Sequence, residues 1–156
     1  MIKCHFEDNN EELNFRHVTT NAIIEKNNKI LLVKRSSKMY MPNLYCLPGG
    51  YLDQGETIEK GVIRETKEET GYDAKVISLF RINGNPKRDK GNVDFIFLVK
   101  ILKKTGQHDQ EVSEVKWFDI NNLPKKEEVA FDHYENIELY LKYRDKKFNL
   151  PIFNNI

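Results

Sequence analysis

Glu65, Glu68 and Glu69 stand at i, i+3 and i+4 within residues 57–70, a segment that reads as a helix closed by Gly71. At about 100° per residue, the three carboxylates fall within an arc of about 100° on one helical face. Like charges so arranged repel and destabilise a bare helix, and a divalent cation turns that penalty into a binding site. All-oxygen, carboxylate-rich ligation suits the hard ions Mg²⁺, Mn²⁺ or Ca²⁺. Arg64 and Glu56 are candidates to stand behind the ligands, because a guanidinium beside three carboxylates can fix one of them by a bidentate bond. Gly49, Gly50 and Gly55 let the loop backbone approach a metal closely. Magnesium keeps waters and binds protein together with substrate phosphates, so the pattern points to phosphate chemistry, with water activated for attack on phosphorus. Taken alone, three glutamates on a helix are most often a solvated face.

The rest of the segment decides between those readings. Gly50, Glu56, Arg64, Glu65, Glu68, Glu69 and Gly71 fill every fixed place of the pattern G-x5-E-x7-R-E-U-x-E-E-x-G-U, where U is bulky and apolar. Tyr72 fits the last apolar place loosely and Thr66 departs from the first, its methyl expected to face the core. With each residue type near ~6% of ordinary usage, chance matching is on the order of 10⁻⁷. The stretch, residues 50–72, resembles the Nudix box. The resemblance runs from about His17 to the last helix and includes Leu47-Pro48-Gly49-Gly50 and Trp117-Phe118.

The resemblance implies an α/β fold, a Nudix-type α/β/α sandwich with a central mixed β-sheet. It implies a Mg²⁺- or Mn²⁺-dependent hydrolase that cleaves a nucleoside diphosphate linked to a moiety X. Glu68 and Glu69 match metal ligands, as does the backbone carbonyl of Gly49. Glu65 matches either a further ligand or the group that takes a proton from the attacking water. Glu56 would act through a metal-bound water, and Arg64 would orient a box glutamate. The family often adds an acidic residue from a later loop. Glu111 is preferred over Glu114, which can simply begin a strand, and the general base stays open among Glu65, Glu111 and Glu114.

Outside the box, the loop 83–92 is the most informative segment. Pro86 falls 15 positions after Gly71, similar to the pattern in ADP-ribose pyrophosphatases of this family. Lys87 and Arg88 can reach a diphosphate or a terminal ribose, Arg with its bidentate fork. The alternative is a solvated basic turn with a routine proline. Arg35 is either a phosphate contact or a surface charge. Phe15, Tyr40, Tyr45, Phe80 and Phe95 are candidates to stack on a base, although aromatics in strands are usually core. Cys46, inside an apolar run, reads as a small buried hydrophobe. The expected substrate is a small-molecule nucleotide, ADP-ribose first. A house-cleaning nucleoside triphosphate pyrophosphohydrolase and a non-catalytic Nudix-fold ligand sensor are the alternatives.

The elements that must hold these groups follow from periodicity. Residues 2–6 and 13–18 flank an expected hairpin at 8–10. Residues 17–25 read as a strand paired with 30–33 across a turn at 26–29. After the helix, 72–82 and 93–102 read as strands, 114–118 as a short one, and 131–144 as a final amphipathic helix. The chain of 156 residues, 39% hydrophobic and 31% charged, is expected to be one domain spanning 1–156. Its net charge of +1 supplies little affinity for nucleic acid. The longest apolar run, residues 95–99, is far short of the ~20 a membrane span needs. No signal-like apolar region opens the chain, so a cytoplasmic location is expected. Cys4 and Cys46 do not make a zinc ribbon. Relatives often dimerise, and a monomer would leave the early hairpin as the edge most in need of cover, so a homodimer stays open.

Overall fold

The structure, a computed structural model, describes residues 2–5, 8–9, 11–88 and 91–153, without the side chains of 2–5 and 13. In chain order the strands are β1 (Ile2–His5), β2 (Glu12–Phe15), β3 (Val18–Ile23), β4 (Glu25–Lys26), β5 (Lys29–Arg35), β6 (Tyr45–Cys46) and β7 (Gly49–Tyr51). Helix α1 (Ile58–Thr70) follows, then β8 (Tyr72–Asn83), β9 (Val93–Lys104), β10 (Val112–Asp119), α2 (His133–Asp145) and β11 (Ile152–Phe153).

The central sheet has five strands in the order β11-β8-β9-β3-β7. It is mixed: β3 runs parallel to β9 and β11 parallel to β8, while β8–β9 and β3–β7 are antiparallel. A second sheet, β10-β5-β4 with β6 also on β5, is antiparallel. Period-2 alternation divides the buried side chains of the central strands between two faces. Ala22 and Phe97 pack with Val62 of α1, while their neighbours Ile23 and Ile96 pack with Ile137 of α2. The two helices therefore cover opposite faces of a mixed sheet, the expected α/β class. Among the described residues no helix is long and apolar enough to cross a membrane.

Three expected elements differ. The segment 17–25 is not one hairpin strand: it breaks at Ile24, β3 joins β9 in the central sheet, and only β4 pairs with β5. Leu31 N–H donates to Ile24 O at 3.0 Å, so the break passes the chain from one sheet to the other. The last helix starts at His133, because Phe131 has φ 60 and the chain must leave that left-handed conformation before it can coil. In the N-terminal pair, Ile2 lies opposite Phe15, and Val18 belongs to β3 instead. Residues 6 and 10 of the expected hairpin lie outside the described residues.

His133 is buried at the start of α2, and its Nδ1 accepts the Leu47 N–H at 3.0 Å. Burial pushes the imidazole pKa down to about 4. An unfolded ring takes a proton near pH 6.5. The contribution of this group is therefore complete above about pH 6.5 and is lost as pH falls toward 4, amounting to about 3 kcal/mol. Asp94, buried and raised to about 6, works in the opposite sense over much of the same range. Comparison with His133→Asn, which keeps an acceptor in place of Nδ1, isolates the ring. In urea titrations the parent should lose about 3 kcal/mol relative to that variant between pH 7 and pH 4. Parallel stability curves would refute the assignment.

Candidate active site

Helix α1 opens where Thr57 Oγ1 accepts the Lys60 N–H at 3.3 Å and closes at Gly71, φ 72, whose N–H returns to Lys67 O. Val62, Thr66 and Thr70 point into the core at i, i+4, i+8 spacing, and Thr66 Oγ1 donates to Val62 O at 2.7 Å. Thr66, the odd residue of the box, thus sits in the core with its hydroxyl satisfied inside the helix. The adjoining helical face carries the acids. Glu68 is exposed, Glu65 half-buried, and Glu69 only 5% exposed, its carboxylate accepting the Gly49 N–H at 2.8 Å. Burial pushes the Glu69 pKa well above the usual carboxylate range against that N–H bond.

One guanidinium holds the group together. Arg64 grips Glu56 with both prongs, Nε to Oε1 and Nη2 to Oε2, each at 3.0 Å. Its Nη1 donates to Glu65 at 2.8 Å and to Glu68 at 3.0 Å, and Nη2 donates to Tyr51 O on β7 at 3.0 Å. The Arg64 bond holds the Glu56 pKa down, whereas burial raises that of Glu65 despite Arg64. The β7 backbone lies so close that a Cβ on Gly50 would stand 2.6 Å from Glu65 Oε1. Gly49 has φ 154, and a Cβ there would meet Thr20 O at 2.1 Å.

These carboxylates form one wall of a cavity of about 700 Å³. Asp109 and Glu111 supply its rim from the β9–β10 loop, which is latched to α1: Asp109 N–H donates to Glu68 O at 2.9 Å. Opposite lies a polar floor. Asp94, fully buried, accepts from Thr19 Oγ1 at 3.0 Å, Asn21 Nδ2 at 2.6 Å and Arg88 at 3.3 Å. Asp132 accepts from Arg88 and from Asn83 Nδ2, both at 2.7 Å. Asp94, Asp132 and His133 bring ligand-type atoms within 4.8 Å of one another, and Arg88 already supplies the positive charge between the two acids. From outside, Arg16 clasps both ends of the loop that carries Arg88, donating to the carbonyls of Gly84, Gly91 and Asn92.

The family model described as the NUDIX domain matches residues 15–140. The chain belongs to the Nudix family. It is accordingly a pyrophosphatase-type hydrolase. It is 40% identical over 130 residues to an ADP-ribose pyrophosphatase of Methanocaldococcus jannaschii, covering 82% of this chain and 75% of that one. It is 34% identical over 102 residues to the NAD-capped RNA hydrolase NudC of Vibrio atlanticus, covering 65% of this chain and 36% of that protein. Among solved structures, a NUDIX hydrolase from Nitrosomonas europaea matches with TM-score 0.80 at 24% identity, over 96% of this chain and 84% of that one. An ADP-ribose pyrophosphatase from Streptococcus suis matches with TM-score 0.75 at 24% identity, over 90% of this chain and all of that one (100%). These two share the fold.

Within this Nudix domain, Gly49, Arg64, Glu65, Glu68, Glu69 and Glu111 all line the cavity. Glu56 stands behind Arg64 and is not among the lining residues. Glu114 lies inside β10 and accepts the Tyr45 hydroxyl at 2.8 Å, also outside the lining. Arg35 and Arg88 line the cavity, but Arg88 is bonded to Asp94 and Asp132, and Arg35 Nε donates to Tyr40 O at 2.7 Å. Pro86 and Lys87 are exposed on the loop and do not contribute to the lining. Asp94, Asp109, Asp132 and His133 were not singled out by spacing. Asp94 did leave a signal, a lone charge within the apolar run of β9.

Gly50→Ala drives a methyl into the Glu65 carboxylate without touching the hydrophobic core. It should cut hydrolysis of a nucleoside diphosphate derivative by about 10²-fold while the circular dichroism melt stays close to the parent's. Undiminished turnover would mean that the position of Glu65 is immaterial.

Proposed function

We propose that the protein is a Mg²⁺- or Mn²⁺-dependent pyrophosphohydrolase that cleaves the diphosphate of a nucleoside diphosphate linked to X, with ADP-ribose as substrate and residues 1–156 as one domain. The observation that carries the reading is the 40% identity to an ADP-ribose pyrophosphatase over 75% of that protein's length. A cavity of about 700 Å³ with an acidic wall is of the size that takes a nucleotide-sized ligand.

The donor set fits a hard divalent ion. Glu65, Glu68 and Glu69 offer only oxygens, and the buried Glu69 accepts the Gly49 N–H. The missing side chain of Gly50 keeps space in front of Glu65. Those three carboxylates and the Gly49 carbonyl are the groups that would hold the ion. Bound there, the ion supplies Lewis-acid neutralisation of the diphosphate and an activated water. Arg64 fixes the rotamers of Glu65 and Glu68, and Glu56 holds Arg64. Among the candidate bases, Glu65 is engaged by Arg64 and Glu114 lies outside the cavity, which favours Glu111, on the rim, as the acceptor of the water's proton.

Incubated with ADP-ribose and Mg²⁺, the protein should release AMP and ribose 5-phosphate, resolved by ion-exchange chromatography, and a chelator should stop the reaction. Faster hydrolysis of nucleoside triphosphates, with pyrophosphate as product, would replace this assignment by the house-cleaning one. Glu69→Gln should lower turnover by on the order of 10²-fold or more. Nucleotide binding without any turnover in the parent protein would mark a sensor.

A further inference from the structure

Glu111 reaches the cavity from a loop, yet its main chain is held on both sides. Its N–H donates to Asp109 Oδ1 at 2.9 Å, and its carbonyl accepts the Ser36 N–H at 2.8 Å. The next residue, Val112, is buried with Val33, Cys46 and Ala130 and pairs with Arg35 on β5. The ladder slips between Val112 and Glu114, an irregularity that re-aims the side chains at the start of β10.

The other end of the loop rests on α1. The N–H groups of Thr105 and Gly106 both donate to Gly71 O, at 2.8 and 3.1 Å. A Cβ on Gly71 would stand 2.3 Å from Gly106 O, so the loop seats directly on the end of the helix. Asp109 links that seat to Glu111. Its N–H donates to the Glu68 carbonyl, in the last turn of α1, at 2.9 Å, and its side chain takes the Glu111 N–H. Two hydrogen bonds on one residue therefore fix Glu111 against the helix that carries Glu65, Glu68 and Glu69. The charges register the same proximity: Glu65 feels Glu111, and Glu69 feels Asp109.

We propose that Asp109 is a positioning residue for the hydrolysis, setting Glu111 where its carboxylate accepts the proton of the attacking water. The proposal rests on the reading above, in which Glu111 is that acceptor, and extends it by naming what holds the acceptor in place. A displacement of about 1 Å at a reacting group costs up to about 10²-fold in rate, so a base carried on a loop needs such a restraint. The role requires the oxygen of Asp109 and not its charge. Asparagine offers the same acceptor at the same place, whereas a residue that itself held a cation would need the carboxylate.

The test is a double-mutant cycle in steady-state kinetics, run on whichever of ADP-ribose and nucleoside triphosphates the parent hydrolyses faster. Asp109 is exposed, so its replacement leaves the core untouched. Glu111→Gln should lower kcat by about 10²-fold or more. Asp109→Ala should lower kcat about tenfold and leave KM within about twofold of the parent's. Asp109→Asn should recover most of that loss. In Asp109→Ala combined with Glu111→Gln the losses should not multiply, because a misplaced base and an absent one are the same defect. Multiplying losses, or Asp109→Asn as poor as Asp109→Ala, would overturn the positioning role alone. So would parental kcat in Asp109→Ala beside an impaired Glu111→Gln. Full activity in Glu111→Gln would remove the base assignment and leave Asp109 nothing to position. A parent without turnover on either substrate would remove the catalytic reading itself.

Discussion

Everything at the acidic wall depends on one guanidinium shared among carboxylates that would otherwise repel one another. Arg64 bonds Glu56, Glu65 and Glu68 at once and adds a backbone carbonyl of β7. A lysine, with a point charge and no fork, cannot make that set. The pairing is only partial: Glu69 accepts instead from the Gly49 N–H and feels the charge of Arg35. Burial therefore disfavours the charged form of Glu69 and pushes its pKa well above the usual carboxylate range.

The fold supplies this arrangement by bringing three segments distant in sequence to one cavity. The β3–β7 pairing sets Asn21 opposite Gly49 and so sets β7 beside α1. The β9–β10 loop is fastened to the last turn of α1 by Asp109. The β8–β9 loop is fastened to the start of α2 by Arg88 and Asn83. Each fastening is a hydrogen bond or ion pair between segments distant in sequence, laid over a core of Ala22, Val62, Phe97, Ile96 and Ile137 that fixes the helices on opposite faces.

What was legible in the sequence follows from the same distinction. The box is local: fixed offsets along one helix and its preceding loop bring Arg64, Glu65, Glu68 and Glu69 to one wall of the cavity. Strand and helix spans after Gly71 are local too, and their periodicity located β8, β9 and β10 to within two residues of the observed ends. The floor of the cavity is not local. Asp94 and Asp132 lie far apart in sequence and meet only because β9 is central and α2 begins beside it. The apolar run over 17–25 concealed a change of sheet, since β-branched residues favour a strand without saying which neighbour it joins. The late start of α2 was hidden for another reason: a phenylalanine at positive φ contradicts its own propensity, and only tertiary contacts hold it there.

Arg16 gives the N-terminal region a consequence out of proportion to its size. The residue stands in the short connection between β2 and β3, yet its three bonds close the loop that delivers Arg88 to the floor. Anyone shortening this protein to its minimal working unit can discard the β1–β2 ribbon only as far as residue 15. One position further, the cut would unstaple a segment some seventy residues downstream, so the usable boundary is drawn by a side chain rather than by the edge of a sheet.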